Sequence, residues 1–147
     1  MPIRRLPNAG LLPTPSYKSE GASGIDLQAA LVGFGDEVTI EPGQMKNVPT
    51  GLCVEIPAGY EGQVRSRSGL AKQYGIAVAQ GIGTIDSDFR GEIQVMLRNF
   101  GDKPVTFVHG DRIAQLIIAP VVQVYLREVE WLTETERGDK GFGSSGL

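Results

Sequence analysis

Two aspartates stand two positions apart in QGIGTIDSDFRGE, residues 80–92. The glycines at 81 and 83 permit close backbone approach, and the stretch Gly83, Thr84, Ile85 reads as part of a β-hairpin whose main chain could face a ligand. Asp86 or Asp88 could take a proton as a general base, or both could merely solvate the hairpin tip; spacing does not choose. In RSRSGLAK, residues 65–72, Arg67, Ser68 and the backbone of Gly69 open the one segment that reads as helical. Unpaired N–H groups and the helix dipole favour an anion there, although a surface salt-bridge cluster feeding a capped helix is equally compatible. ASGIDLQAA, residues 22–30, carries Asp26 and by itself reads as a strand opening after a glycine turn, with the acid on the solvated face. In GDRIAQLI, residues 110–117, alternation groups Arg112, Ala114 and Leu116 on one face and Ile113, Gln115 and Ile117 on the other. Gln115 then lies among apolar neighbours and needs a partner, either backbone or ligand. The last stretch, RGDKGFGSSGL at 137–147, combines the Arg137 guanidinium with glycine N–H groups and serine hydroxyls, which suits a phosphate cradle as well as a solvated tail. Phe142, between two glycines, favours a flap that closes on a planar ligand.

These segments need a scaffold, and 147 residues suffice for one domain with a real core. Twenty glycines and nine prolines are spread along the chain, which suits short strands joined by turns. EPGQ (41–44) and IPAGYEG (56–62) are turn signals; β-type runs occur at 38–40, 52–56, 76–79, 92–97, 105–108 and 112–126, the last broken by Pro120. Only SGLAKQYG, 68–75, reads as a helix, with Ser68 as N-cap and Gly75 as stop. The expected fold is an all-β barrel or jelly roll with an irregular stretch at 1–21, a detachable arm at 133–147 and no internal repeat. Cys53 and His109 are each the sole residue of their kind, which excludes an intrachain disulfide and a Cys/His zinc site within one chain; His109 in FVHGD reads as a turn residue. A metal, if used, should be a hard ion held by oxygens, such as Mg²⁺ with phosphates as ligands. The net charge of −3 argues against non-specific nucleic-acid or polybasic membrane binding. No membrane-length apolar run or signal-like segment is evident, so a cytosolic location is expected.

The five segments, in this order and spacing, resemble the homotrimeric dUTP pyrophosphatases, the dUTPase family, over residues 22–147; RSGLA, GTID, GDRIAQ and the glycine-rich end carry the resemblance. It implies a distorted jelly roll that trimerises, each active site being built from three chains. Segments 22–30, 65–72 and 110–117 would come from one chain, the hairpin from a second and the C-terminal arm from the third. The implied reaction is dUTP plus water giving dUMP and pyrophosphate, which keeps uracil out of DNA and supplies the thymidylate precursor. By the same resemblance Asp86 is the base, Arg67, Ser68, Gly69 and Gln115 cradle the α- and β-phosphates, and Arg137, Gly143 and Ser144 close on the γ-phosphate with Phe142 in the flap. Mg²⁺ is chelated by the phosphates, with Asp26 holding a metal-bound water. The backbone of Gly83, Thr84 and Ile85 reads uracil, and Phe89 stacks under the deoxyribose. Gln80, Phe89 and Gln94 stand where the family usually has Asn, Tyr and Lys. The sister dCTP deaminases share the hairpin Asp but place a Glu ten residues later, where this chain has Met96, and IDSDF differs from their IDPGW. A nucleotide-sensing trimer without catalysis is a further alternative, against which Asp86 and the complete tail argue.

Overall fold

The computed structural model describes residues 1–141. In chain order its elements are β1 (Ile3–Arg5), a 3-10 turn (Pro7–Ala9), β2 (Ile25–Gln28), β3 (Glu37–Ile40), β4 (Met45–Pro49), β5 (Leu52–Val54) and β6 (Tyr60–Arg65). There follow α1 (Ser68–Tyr74), β7 (Ile76–Val78), β8 (Ile82–Ile85), β9 (Gln94–Asn99), β10 (Val105–Val108) and β11 (Arg112–Pro120). The strands form antiparallel ladders in the orders β1-β5, β3-β10, β4-β9-β7 and β2-β11-β6-β8. This is the expected all-β, jelly-roll-like architecture with one short helix among the described residues. Leu27, Ile40, Val48, Ile76, Ile93, Leu97, Ile113 and Leu116 are almost fully buried between the ladders and form the core. No helix among the described residues is long and apolar enough to cross a membrane.

The four-stranded sheet positions the residues of interest, and its bounds follow from the sequence. β11 ends at Pro120, and one further bond, Val121 N–H to Gly59 O at 2.9 Å, closes its ladder on β6. Gly62 in β6 gives way to Ile56 and Leu116: an added Cβ would stand 2.8 Å from Ile56 Cδ1 and 3.1 Å from Leu116 Cδ1. Helix α1 stops at Gly75, whose φ of 68° is left-handed and whose N–H donates to the Ala71 carbonyl. The lone buried asparagine, Asn99, is satisfied: Nδ2 donates to Ile40 O and Lys103 O, and Oδ1 accepts from Gly101 N–H. His109 lies in a turn, as expected, and its Nδ1 accepts the Leu31 N–H at 3.0 Å.

Several expectations need correction. Ser68 is the first residue of α1, and its N-cap is the extended Arg67, so the serine hydroxyl makes no cap bond. Residues 80–92 do not form a hairpin ladder. β8 is the one strand within them and pairs with β6, and residues 86–92 form no strand; β7, joined to β8 by the turn at Ala79–Gln80 that Gly81 N–H to Val78 O closes, pairs with β9. The N-terminal stretch contributes β1, laid against β5 in register Ile3↔Val54. The run at 112–126 is a strand only to Pro120, and residues 121–141 form neither strand nor helix.

Candidate functional site

β2 and β11 bring Asp26 directly opposite Gln115, and β6 adds Arg65 to the same row. Two residues past β6, at the entry to α1, Arg67 turns back: its Nε donates to Asp26 Oδ1 at 3.1 Å and its Nη1 to Arg112 O at 3.0 Å. Arg112 closes the group from β11, with Nη1 at 3.3 Å from Asp26 Oδ2. Both oxygens of one carboxylate therefore face guanidiniums. Asp26 is not on a solvated face, since its side chain is 18% exposed, against 24% for Arg67 and 52% for Arg112.

The alternation expected across 112–117 breaks at a bulge. The register of β11 on β2 shifts between Arg112 and Ala114, so Ile113 and Ala114 are both buried. Beyond the bulge Ala114 and Leu116 face the core, and Gln115 shares the side of Asp26 instead of lying among apolar neighbours. Half-buried Gln115 donates from Nε2 to Ser66 O at 3.0 Å, and Ser66 Oγ in turn accepts the Val78 N–H at 2.8 Å. Gly24 makes room for this amide, because a Cβ there would stand 2.6 Å from Gln115 Oε1. Ser68 and Gly69 are exposed at the start of α1. A cleft of about 410 Å³ runs from Arg67 and Arg112 along Leu70, Tyr74 and Phe107. Sequence reasoning missed Arg112 and Ser66; the Arg of GDRIAQ was in view, but nothing in the sequence signals a bulge.

The second group lies elsewhere. β8 is the outer strand of its sheet, so one of its edges has no partner strand among the described residues. Asp86 follows it directly and is exposed, as are Thr84 and Asp88, while Ile85 is half-buried. Gly83 is buried against Val64, and a Cβ on it would stand 3.7 Å from the Gln80 side-chain oxygen, so Gln80 folds over Gly83. The Phe89 N–H bonds to Asp86 O at 3.1 Å, and the Phe89 ring sits over Gly91. Gln94 is exposed on β9, and Arg137 Nε donates to Lys140 O. Phe142, Gly143 and Ser144 lie outside the described residues.

The register gives the separation. Ile82 of β8 is level with Arg65, Gln115 and Asp26, so Asp86 lies three strands across and four residues along from Asp26. With strands about 4.8 Å apart and about 3.4 Å per residue, that is roughly 20 Å. Within one chain, Asp86 does not meet the Asp26–Arg67–Arg112 group.

An all-β sheet with forked cations around a carboxylate at one end and an open strand edge beside an acid at the other suits the class of ligands that join an anionic group to one able to pair with main-chain N–H and C=O. The comparisons narrow this class. The dUTPase family model matches residues 12–146. A deoxyuridine 5'-triphosphate nucleotidohydrolase of Beijerinckia indica subsp. indica is 53% identical over 98% of this chain and 89% of its own length. That of Caldanaerobacter subterraneus subsp. tengcongensis is 51% identical over 99% and 96%. Among solved structures, the Staphylococcus bacteriophage 80alpha dUTPase G164S mutant with dUpNHpp superposes with a TM-score of 0.87 at 25% identity, covering 99% of this chain and 98% of that one. The chain belongs to the dUTPase family.

Proposed function

We infer that the protein hydrolyses dUTP to dUMP and pyrophosphate, clearing a precursor that would place uracil in DNA and supplying dUMP for thymidylate synthesis. The observation that carries this reading, beside family membership, is the pairing of an Asp26–Arg67–Arg112 group and Gln115 at one end of the sheet with an exposed carboxylate at the open β8 edge. Arg67, Ser68, Gly69 and Gln115 hold the α- and β-phosphates; Arg137, Gly143 and Ser144 close on the γ-phosphate, and Phe142 covers the base. Asp86 orients a water in line with the α-phosphorus and accepts its proton, and neutralisation of the leaving pyrophosphate supplies most of the remaining barrier reduction. Uracil offers a donor between two acceptors, which fixed main-chain groups of Gly83, Thr84 and Ile85 can match while rejecting cytosine. Phe89 packs beneath the sugar. Gln80 and Gln94 flank the base and phosphate ends without the usual Asn and Lys.

No three His, Cys, Asp or Glu side chains converge among the described residues, and in this reading the three phosphates supply the inner ligands of Mg²⁺. Asp26 fits the task of holding a metal-bound water, since each of its oxygens accepts one guanidinium and can accept a second hydrogen bond. When bound, the metal neutralises phosphate charge.

The working unit is a homotrimer with shared sites and an exchanged C-terminal arm. Supporting this are the roughly 20 Å between Asp86 and Asp26 and an exposed apolar strip in which Val122, Tyr125, Leu126, Trp131 and Leu132 are each more than four-fifths exposed. One domain, 1–147, with residues 133–147 as a lid, and a cytosolic setting without nucleic-acid or membrane partners complete the proposal. A deaminase is disfavoured because half-buried Met96 on β9 moves no proton. The test is pyrophosphate release from dUTP, dCTP, dTTP and UTP with and without Mg²⁺; comparable turnover of dCTP and dUTP would refute the specificity, and silence on dUTP the reaction.

A further inference from the structure

We propose that Arg112 is a positioning residue for this hydrolysis, an assignment that rests on the reaction inferred above. It fixes Asp26 with its side chain and Arg67 with its main-chain carbonyl, so that the anchor for a metal-bound water and the phosphate fork move as one unit. Three observations carry it. Arg112 Nη1 meets Asp26 Oδ2 at 3.3 Å while Arg67 Nε meets Oδ1 at 3.1 Å, so the two cations grip opposite oxygens and define the plane of the carboxylate. The Arg112 carbonyl accepts Arg67 Nη1 at 3.0 Å, which orients that guanidinium and leaves its Nη2 edge for a phosphate oxygen. The bulge between Arg112 and Ala114 allows both contacts: a regular strand would alternate, whereas the inserted residue re-aims Arg112 toward β2 and the entry to α1.

Without Arg112, a single Asp26–Arg67 pair on a partly exposed surface holds its geometry loosely.

The test is a double-variant cycle of Arg112→Gln and Asp26→Asn, read in kcat/KM for dUTP and in calorimetric Kd for dUpNHpp, with and without Mg²⁺. Thermal midpoint and oligomer mass check folding. Arg112→Gln should lower kcat/KM by about 10–100-fold, the usual range for groups that orient a ligand-holding residue. Arg112→Lys, which keeps the charge but loses the fork, should recover part of the loss. Because Arg112 acts through Asp26, adding Arg112→Gln to Asp26→Asn should change little, and Mg²⁺ should tighten dUpNHpp less in either single variant than in the wild type. Losses that multiply in the double variant would make Arg112 an independent group and overturn the assignment, as would an Arg112→Gln protein within about twofold of wild type. A wild-type protein that releases no pyrophosphate from dUTP would refute the reaction and this assignment together; normal wild-type turnover with a multiplying cycle refutes only the role of Arg112.

Discussion

Mixing two disabled variants should restore activity. Asp86→Asn keeps the shape of the proposed base but cannot accept a proton, which should lower kcat by roughly 10²–10⁴. Arg67→Gln removes the fork that holds Asp26 and, in the proposed site, the phosphates, and should lower turnover by roughly 10²–10³. Both residues sit on one rigid sheet, Asp86 after β8 and Arg67 after β6, and their separation is set by the register Arg65↔Ile82. Asp86 lies four residues along β8 from that row and Arg67 two residues past β6, a separation well beyond the reach of one water and a phosphate. If each site takes Asp86 from one chain and Arg67 from another, random assembly of equal amounts gives both intact groups at about one site in four, half times half. Turnover of the mixture should rise to about a quarter of wild type, far above either parent. The assay is pyrophosphate release after subunit exchange under mild denaturant, with mixed species verified by differently tagged chains. Verified mixed oligomers that stay at parental activity would show that each chain serves its own site, and the shared-site account would fail.

Three further outcomes are expected. Asp86→Asn should still bind dUpNHpp with near-normal affinity while turnover collapses; if near-normal turnover persists, the role moves, with Asp88 the next residue to test. Gly24→Ala should push Gln115 off Ser66 O, since the new Cβ would stand 2.6 Å from Oε1, and should raise KM for dUTP about 10–100-fold with little change in thermal midpoint, whereas an unchanged KM would remove Gln115 from the phosphate contacts. His109→Leu leaves the N–H of buried Leu31 without its acceptor and should destabilise by about 1–3 kcal/mol, a midpoint drop of roughly 2–10 °C at fixed protein concentration. An unaltered midpoint would show that water or a shifted loop replaces the imidazole.

Elements fixed by local chemistry were legible in the sequence, and those fixed by distant partners were not. VTFV coincides with β10 because its residues favour an extended backbone, Gly75 ends α1 because its left-handed φ suits glycine, and the break marked by Pro120 coincides with the end of β11. β4 is hidden by Lys46, Asn47 and Pro49, which carry no alternating signal; it forms because five residues of β9 lie opposite it. β6 is hidden by Tyr60, Glu61 and Gly62, although that glycine is required by Ile56 and Leu116. The expected 80–92 hairpin fails for the same reason: its glycines and acids were legible, but the partner of β8 is the distant β6, and residues 86–92 form no second arm.

The candidate site divides along the same line. Residue types at fixed spacing singled out the five segments, because the proposed phosphate cradle and carboxylate base each call for particular side chains. Which segments touch depends on a strand order of β2-β11-β6-β8, and that order follows neither the sequence nor any periodicity in it. The bulge at Arg112 adds one residue to an otherwise regular pattern and so reverses the expected company of Gln115. The consequence reaches beyond local error. Because Asp26, Gln115, Arg65 and Ile82 occupy one row, no side-chain rearrangement can carry Asp86 to the guanidinium group without dismantling a ladder. On the proposed reading, a sheet built this way completes the chemistry by lending its β8 edge to a second copy, and that reading makes association a condition of activity.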